Sequence, residues 1–185
     1  MKELSLNILD IAMNSVKAES KNIEISITET DDLMEILIKD DGFGMSADTL
    51  KKVTDPFCTT RTTRKVGLGI PFYKLAAEQT GGSIEINSRT REEFPNDCGT
   101  TVIARFIKNH IDCLPLGDII STITTLIQGS PNIDLVFTHN SVKMSTKELR
   151  EVLEDVPLSS PEVLQWIREF LKEQYNEINN KGEKL

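Results

Sequence analysis

The sequence predicts an α+β protein: a two-layer α/β sandwich, in which a mixed sheet carries helices on one face, followed by a small, mostly helical C-terminal unit. Two observations support this class. Up to residue 108 the apolar pattern changes period in the order helix, strand, strand, helix, strand, strand. From residue 109 to residue 185 helical periods predominate. We therefore expect two domains, residues 1–108 and residues 109–185.

The first predicted element is a helix over residues 4–18, whose buried face we expect to consist of the evenly spaced apolar residues Leu6, Leu9, Met13 and Val16. Two strands follow. Residues 23–28 alternate isoleucines with polar residues, and a second β-rich run covers residues 34–38. Residues 40–69 are rich in Gly, Thr, Asp and Arg, which predicts a long loop with one short helix at 47–53.

The next predicted helix covers residues 71–79, since it begins with a proline and stops at Gly81 and Gly82. Alternating residues at 83–88 and 100–107 then predict two strands. Beyond them, apolar spacing between Leu116 and Ile127 predicts a helix that ends at Gly129. Residues 133–138 read as a strand.

Two more helices are predicted near the C-terminus. A capping box begins the first, with Ser145 three residues before Glu148. Pro161 begins the second, whose apolar side should consist of Leu164, Ile167, Leu171 and Ile178. We expect residues 179–185 to form a frayed tail.

Composition and charge exclude several classes of protein. The longest apolar run is far short of the roughly 20 residues that cross a bilayer, so no membrane association is expected. The first residues lack the pattern of a secretory signal, which favours the cytoplasm. A net charge of -8 argues against a nucleic-acid partner. Three separated cysteines without a CxxC pair predict neither a disulfide framework nor a zinc site.

Five short motifs follow one another along the first hundred residues. In the first of them, which lies on the first predicted helix, Asp10, Asn14 and Lys17 are spaced four and three residues apart, which places them on one helical face. Taken alone, such spacing is typical of a solvated helix surface. The motifs are LDIAMNSVKA (9–18), DDGFGM (40–45), DPFCTTR (55–61), KVGLGI (65–70) and GTTVIARF (99–106). The GLG in the fourth leads into a helix N-terminus, which favours phosphate. No P-loop pattern occurs.

In this order the motifs resemble the ATP-binding domains of the histidine kinase, gyrase, heat-shock chaperone and mismatch-repair superfamily. They correspond to the N box, the first glycine box, the F box, the second glycine box and the closing strand, between Leu4 and Phe106. The resemblance implies ATP or ADP as ligand and Mg²⁺ as cofactor. It implies Asn14 as the metal ligand and nucleotide contacts from Asn14, Lys17, Asp40, Gly42, Gly44, Met45, Thr59, Thr60, Arg61, Lys65, Val66, Gly67, Leu68, Gly69 and Thr100.

Individual roles follow from the same resemblance. Asp40 should accept a hydrogen bond from the adenine amino group, assisted by Thr100. The glycines should shape the lid and its hinges. Lys17 is either a phosphate contact or a cation that stabilises the helix C-terminus. Arg61, Arg64 and Lys65 fall in the lid segment, where each is either a phosphate contact or solvated.

Asp10 is the candidate catalytic residue. Four residues before the metal-binding asparagine, hydrolytic members of the superfamily and some of its protein kinases carry a carboxylate, whereas sensor histidine kinases have asparagine there. Asp10 is shorter than the usual glutamate, so its reach is open. The sequence also departs from the pattern at Lys65, which replaces a glycine, and in a short lid. Cys58 is expected to be a buried small residue, and His110 and His139 to be structural.

Three functions remain open. The first is an enzyme of signalling that hydrolyses ATP or transfers its phosphoryl group, with a protein partner bound by the C-terminal unit. The second is a non-catalytic module that signals nucleotide occupancy. The third is a serine or threonine kinase of the anti-sigma-factor type. The phosphoacceptor and the oligomeric state are not predicted.

Overall fold

The computed structural model describes residues 2–53, 69–154 and 156–181. Within these ranges the helices are α1 (Leu4–Lys17), α2 (Ala47–Val53), α3 (Gly69–Gln79), α4 (Ile119–Gly129), α5 (Thr146–Leu153) and α6 (Pro161–Lys181). The strands are β1 (Asn22–Glu29), β2 (Leu33–Asp40), β3 (Ser83–Arg89), β4 (Gly99–Ile107), β5 (Asp134–His139) and β6 (Val142–Ser145). The sequence did not predict β6, a four-residue strand too short to show a period.

The strands form one six-stranded sheet in the order β3-β4-β2-β1-β5-β6. Neighbouring strands are antiparallel except β1 and β5, which are parallel, so the sheet is mixed. One face is apolar and buried; for example, Ile25 is paired with Ile38, and Ile36 with Ala104. Residues of the other face, such as Glu24 and Lys39, are exposed. These features confirm the predicted two-layer α+β fold.

The buried side of α1 differs from the prediction. Its most buried residues are Leu4, Ser5, Asn7, Ile8, Ile11, Ala12 and Ser15. Leu6 is 42% exposed, and Leu9, Met13 and Val16 are only partly buried, so the predicted buried face is wrong. The reason is that α1 packs against α3, α4 and β2 at once. Apolar residues therefore lie on more than one side of the helix, and their spacing alone cannot identify the side that contacts the sheet.

Residues beyond 108 extend the same sheet. β5 pairs with β1, and the backbone N–H of Asp134 donates to the Lys21 carbonyl (2.8 Å). α4 packs against α1, while α6 packs against α4 and β6. The predicted apolar side of α6 is buried as expected, and the capping box is confirmed by the hydrogen bond from the Glu148 N–H to Ser145 Oγ (3.4 Å). Among the described residues, no helix combines the length and apolarity needed to cross a bilayer.

A buried polar network joins the ends of these elements. Glu29, at the end of β1, places one carboxylate oxygen 3.0 Å from Nε2 of His139 and the other 2.5 Å from Nζ of Lys108. His139 ends β5, and its Nδ1 lies 2.8 Å from the hydroxyl of Tyr175 on α6. A carboxylate only accepts hydrogen bonds, so the Nε2–H of His139 donates to Glu29. His139 thus has the structural role that was predicted.

The network changes the acidity of its members. The hydrogen bond from His139 lowers the pKa of Glu29; burial opposes this effect, and Lys108 adds to it. Burial, together with the charge of Glu29, raises the pKa of Tyr175. The hydroxyl of Tyr175 therefore stays protonated and keeps its capacity to donate a hydrogen bond. The charged form of Glu29 is the form that stabilises the fold.

Replacing Glu29 by glutamine should lower the free energy of unfolding by about 3 kcal/mol at neutral pH, because Lys108 then lacks a buried counter-charge. A carboxyl whose pKa is lowered in the folded state stabilises it only while ionised. The difference between native protein and Glu29→Gln should therefore decline as the pH falls through the folded pKa of Glu29. Urea denaturation across this range measures it. Glu85→Gln, which removes a carboxylate that is 57% exposed, is the control and should change stability by less than about 1 kcal/mol.

Candidate functional site

A cleft with a volume of about 220 Å³ lies between α1, α2, the start of α3 and the adjoining ends of β2 and β4. It is lined by Ile11, Asn14, Ser15, Lys17, Ala18, Ile38, Asp40, Phe43, Gly44, Met45, Thr49, Val53, Ile70, Thr100 and Val102. Six of the predicted site residues are therefore brought together here: Asn14, Lys17, Asp40, Gly44, Met45 and Thr100. The cleft combines a largely apolar wall with a few polar groups, which is typical of a small-molecule site.

Asp40 is the most constrained polar group in the cleft. It is the last residue of β2 and is 9% exposed. Its Oδ2 accepts a hydrogen bond from Ser15 Oγ (2.6 Å), and its Oδ1 accepts from the N–H groups of Gly42 (2.9 Å) and Thr100 (3.2 Å). A carboxylate has about four acceptor positions. Three protein donors therefore fix its orientation and leave capacity for one N–H group of a ligand.

Ser15 is a site residue that the sequence analysis missed. It faces the sheet from α1 and is 3% exposed, and its own carbonyl accepts from Ser20 Oγ (2.7 Å). The misplaced buried face of α1 hid it, since a serine one residue after Asn14 was not expected to point at the sheet. A polar residue in phase with Leu4, Ile8 and Ile11 would have been the signal.

The loop after β2 approaches other backbone segments too closely for a side chain at two positions. A Cβ at Gly42 would lie 2.7 Å from Ala18 Cβ. Gly44 has φ +69°, and a Cβ there would lie 1.9 Å from the Arg89 carbonyl oxygen. Both glycines therefore hold the loop against α1 and β3. Of the two glycines, Gly44 lines the cleft, whereas Gly42 is outside the lining and holds the loop that forms it.

Ser88 ties this loop to β4. Its Oγ accepts from the N–H of Met45 (2.8 Å) and lies 3.1 Å from the Gly99 carbonyl and 2.9 Å from Thr100 Oγ1. Thr100, a predicted site residue, is held by this contact at the edge of the cleft. Ser88 was also missed, because nothing in the alternating pattern of β3 distinguishes it from a solvated serine.

The second aspartate of the DDGFG motif has a different function. One oxygen of Asp41 accepts from the N–H groups of Lys21 (2.7 Å) and Asn22 (2.9 Å), and the other accepts from the Asn22 side chain (2.7 Å). Burial raises its pKa, but the hydrogen bonds from Asn22 and Lys21 outweigh burial and leave the pKa below its ordinary value. Asp41 therefore fixes the start of β1 and is not part of the cleft.

Phe43 forms an exposed part of the apolar wall. Its backbone is held on both sides, as its N–H donates to the Ala18 carbonyl (2.9 Å) and its carbonyl accepts from the Arg91 N–H (3.0 Å). Its side chain is 47% exposed at the cleft. With Ile11, Ile38 and Val102 it offers a surface suited to a flat apolar ring. None of these residues was predicted.

The other end of the cleft is polar. Asn14 is half-buried, and its amide makes no hydrogen bond to any residue that the structure describes. Lys17 is exposed in the last turn of α1, so both predicted readings of it remain open. Asp10 is exposed and does not line the cleft. It lies beside the start of α3, where a Cβ on Gly69 would be 3.2 Å from Asp10 Cβ and 3.6 Å from its Oδ2.

The remaining candidates are outside the described residues: Thr59, Thr60, Arg61, Lys65, Val66, Gly67 and Leu68, together with Cys58 and Arg64. Their predicted roles stay predictions. Across the described ranges, no three His, Cys, Asp or Glu side chains converge as a metal site would require.

Comparisons with known proteins agree with this geometry. The family model described as "Histidine kinase-, DNA gyrase B-, and HSP90-like ATPase" matches residues 1–111. The chain is 34% identical over 85 residues to a probable C4-dicarboxylate sensor kinase of Bacillus subtilis, a stretch that is 44% of this chain and 16% of that kinase. It is 39% identical over 83 residues to sporulation kinase E of the same organism, which is 44% of this chain and 11% of the kinase.

The chain thus spans less than a fifth of either curated relative. Among solved structures, the ATPase domain of Aquifex aeolicus MutL complexed with ADP superposes with a TM-score of 0.55 at 14% identity. The superposition covers 83% of this chain and 70% of that one. At this identity the likeness shows the shared fold.

Replacing Gly44 by alanine should lower the free energy of unfolding by about 3 kcal/mol or more, because the new Cβ overlaps the Arg89 carbonyl and the residue keeps a positive φ. Gly81→Ala is the matched control: Gly81 has φ +78° but no atom within 4 Å of a built Cβ. The control should therefore lose only about 1 kcal/mol from backbone strain. Urea denaturation of the two variants separates overlap from strain, and equal losses would contradict the packing described for the loop.

Proposed function

Because this chain belongs to the histidine kinase-, DNA gyrase B- and HSP90-like ATPase family, we propose that its cleft binds ATP with Mg²⁺ and that Asp10 supports hydrolysis or transfer of the γ-phosphoryl group. The observation that carries the binding proposal is the carboxylate of Asp40, fixed by three donors and left with one acceptor position. The sensor kinases among the relatives support a role in signalling.

Asp40 selects adenine in this proposal. The exocyclic amino group of adenine donates a hydrogen bond, which suits an ionised acceptor. Guanine carries a carbonyl oxygen at the equivalent ring position and would bring a lone pair against the carboxylate. Thr100, next to Asp40 across the strands, presents its hydroxyl at the same edge of the base. The apolar wall covers the two faces of the ring, and Phe43 lies over the outer one.

The polar end of the cleft suits the phosphates. The start of α3 presents N–H groups and the positive end of its dipole, and Ile70 at this start lines the cleft. Lys17 adds a cation from the last turn of α1. The three lid cations predicted from the sequence would complete the neutralisation of phosphate charge.

Asn14 fits Mg²⁺ through a neutral amide oxygen. Its unbonded amide faces the cleft, and Mg²⁺ takes few protein ligands because it keeps several waters and coordinates substrate phosphates. When bound, the ion would neutralise charge on the phosphate oxygens. Asn14 would hold it one helical turn from Asp10.

Asp10 is placed to orient a nucleophile. Its carboxylate lies beside the start of α3, where the γ-phosphate is expected, and it makes no hydrogen bond or ion pair with a described residue. It can accept the proton of a water or hydroxyl as the oxygen attacks phosphorus and the bond to the β-phosphate oxygen breaks. A second function is favoured by one observation: Asp10 lies outside the cleft lining. A module that reports ATP occupancy without turnover would show this arrangement.

We assign ATP binding to residues 1–108 and a partner-binding role to residues 109–185. The match to the family model ends at residue 111, so the later part is not accounted for by the shared module. Its strands nevertheless continue the sheet of the module.

Asp40→Asn should weaken ATP binding roughly 100-fold, since the amide offers the adenine amino group a donor where an acceptor is needed. Asn14→Ala should remove the dependence of binding on Mg²⁺. Isothermal titration with ATP, ADP and GTP, with and without Mg²⁺, measures both effects. Asp41→Asn is the neighbouring control; it should lower stability and leave affinity within about threefold. Equal affinity of the native protein for ATP and GTP would contradict the role given to Asp40.

Asp10→Asn should retain ATP affinity within about threefold and reduce turnover by a factor of about 100 or more, because the amide cannot accept the proton. Release of phosphate and transfer of labelled phosphoryl groups measure the two reactions. Asp48→Asn, on an exposed carboxylate of α2, should leave turnover unchanged. Native protein that binds ATP but shows neither reaction would refute the catalytic role and support the occupancy module.

A further inference from the structure

Helix α6 has an outer face with no structural use in the described chain. Its inner side is buried, with Ile167 and Leu171 fully enclosed. The outer face carries Glu162, Trp166, Glu169 and Glu173, all exposed. Their spacings of four, three and four residues place them along one side of the helix. This stripe lies beyond residue 111, outside the family match, and does not depend on nucleotide binding.

Trp166 is the apolar centre of the stripe. Its indole is 45% exposed and is stacked on the ring of Phe170, with centroids 5.4 Å apart and planes at 11°. The stacking presents a flat aromatic surface to solvent in a fixed orientation. Large aromatic residues in such positions are typical of the central contacts of protein interfaces. A scattered exposed apolar residue would need no explanation, but this ring is held in place and bordered by charge.

The charge around Trp166 is negative. Glu169 accepts a hydrogen bond from the Gln165 amide (2.6 Å), and neither Glu162 nor Glu173 forms an ion pair with a described residue. Two cations of α6 with described side chains lie elsewhere: Arg168 donates to Thr124 on α4 (3.2 Å), and Lys172 lies on the flank. The stripe therefore attracts cations and repels anions.

We propose that this face of α6 binds a cationic helix of a partner protein, with an arginine or lysine of the partner over the indole of Trp166 and further cations beside the three glutamates. A cation over the face of tryptophan is attracted by the ring and by the surrounding carboxylates together. A second copy of the chain is disfavoured, because it would bring the same glutamates against each other. Anionic lipid and nucleic acid are disfavoured for the same reason.

The chain contains a single tryptophan, so its fluorescence reports on this face alone. The full 185-residue protein is titrated with a synthetic amphipathic helix that carries Lys and Arg along one side. A second peptide has Glu at those positions. We expect the cationic peptide to shift Trp166 emission and to bind more weakly as salt is raised. The acidic peptide should not bind.

Charge reversal at the stripe, Glu169→Lys with Glu173→Lys, should weaken the cationic peptide by at least about tenfold. The matched control is Glu92→Lys with Glu93→Lys, which makes the same change in net charge on the exposed β3–β4 loop and should alter affinity less than about threefold. Trp166→Ala should also weaken binding in calorimetry, and circular dichroism checks that each variant folds.

Three outcomes would overturn the proposal. Equal loss of affinity in the two charge-reversed pairs would show attraction to net charge only. Binding of the acidic peptide would show that the glutamates are not the recognition element. A change in Trp166 emission with protein concentration, in the absence of peptide, would show self-association at this face. Each outcome is independent of ATP binding, so failure of the nucleotide proposal does not affect the test.

Discussion

The carboxylate of Asp40 is the point on which the site depends. Ser15 holds it from α1, Gly42 from the following loop and Thr100 from β4, so one side chain joins three elements that meet around the cleft. Each donor also restrains the segment that carries it. The loop cannot turn differently without losing the Gly42 contact, and α1 cannot rotate without withdrawing Ser15. The carboxylate proposed to bind the ligand therefore also holds these three elements together, and its orientation is set before any ligand binds.

Sequence alone located this point well. The five motifs predicted Asp40, Asn14 and Thr100 in one site, and the three line one cleft. The alternation of apolar residues predicted every described strand except β6, and the order of the elements predicted a mixed sheet. Ser15 was lost for a physical reason: α1 is enclosed by the sheet, α3 and α4, so its apolar residues do not form the single stripe that identifies a buried face. Ser88 was not predicted as a site residue, because hydrogen bonds between distant segments leave no local pattern in the sequence. Phe43 was lost because an exposed aromatic in a turn has no period at all.

The polar network at Glu29 has the opposite character to the cleft. The Glu29 carboxylate is paired within the protein, with Lys108 and His139 as its partners and Tyr175 bonded to His139 in turn. The network joins β1 to the connection after β4, to β5 and to α6. Through Tyr175, the helix that carries the Trp166 stripe is linked by hydrogen bonds to the end of a central strand. A force that acts on α6 is therefore transmitted to the sheet through these hydrogen bonds.

The parallel pairing of β5 with β1 also affects how the molecule can be divided. β1 is an interior strand only because residues from the second half of the chain cover one of its edges, from Asn22 to Ile27. A shortened chain that stops where the family match stops would expose that edge as a row of unpaired N–H and C=O groups. Such an edge is a template for pairing with other molecules. Insolubility of the isolated first half would then reflect an open strand edge, and would say nothing about the integrity of the cleft proposed to bind nucleotide.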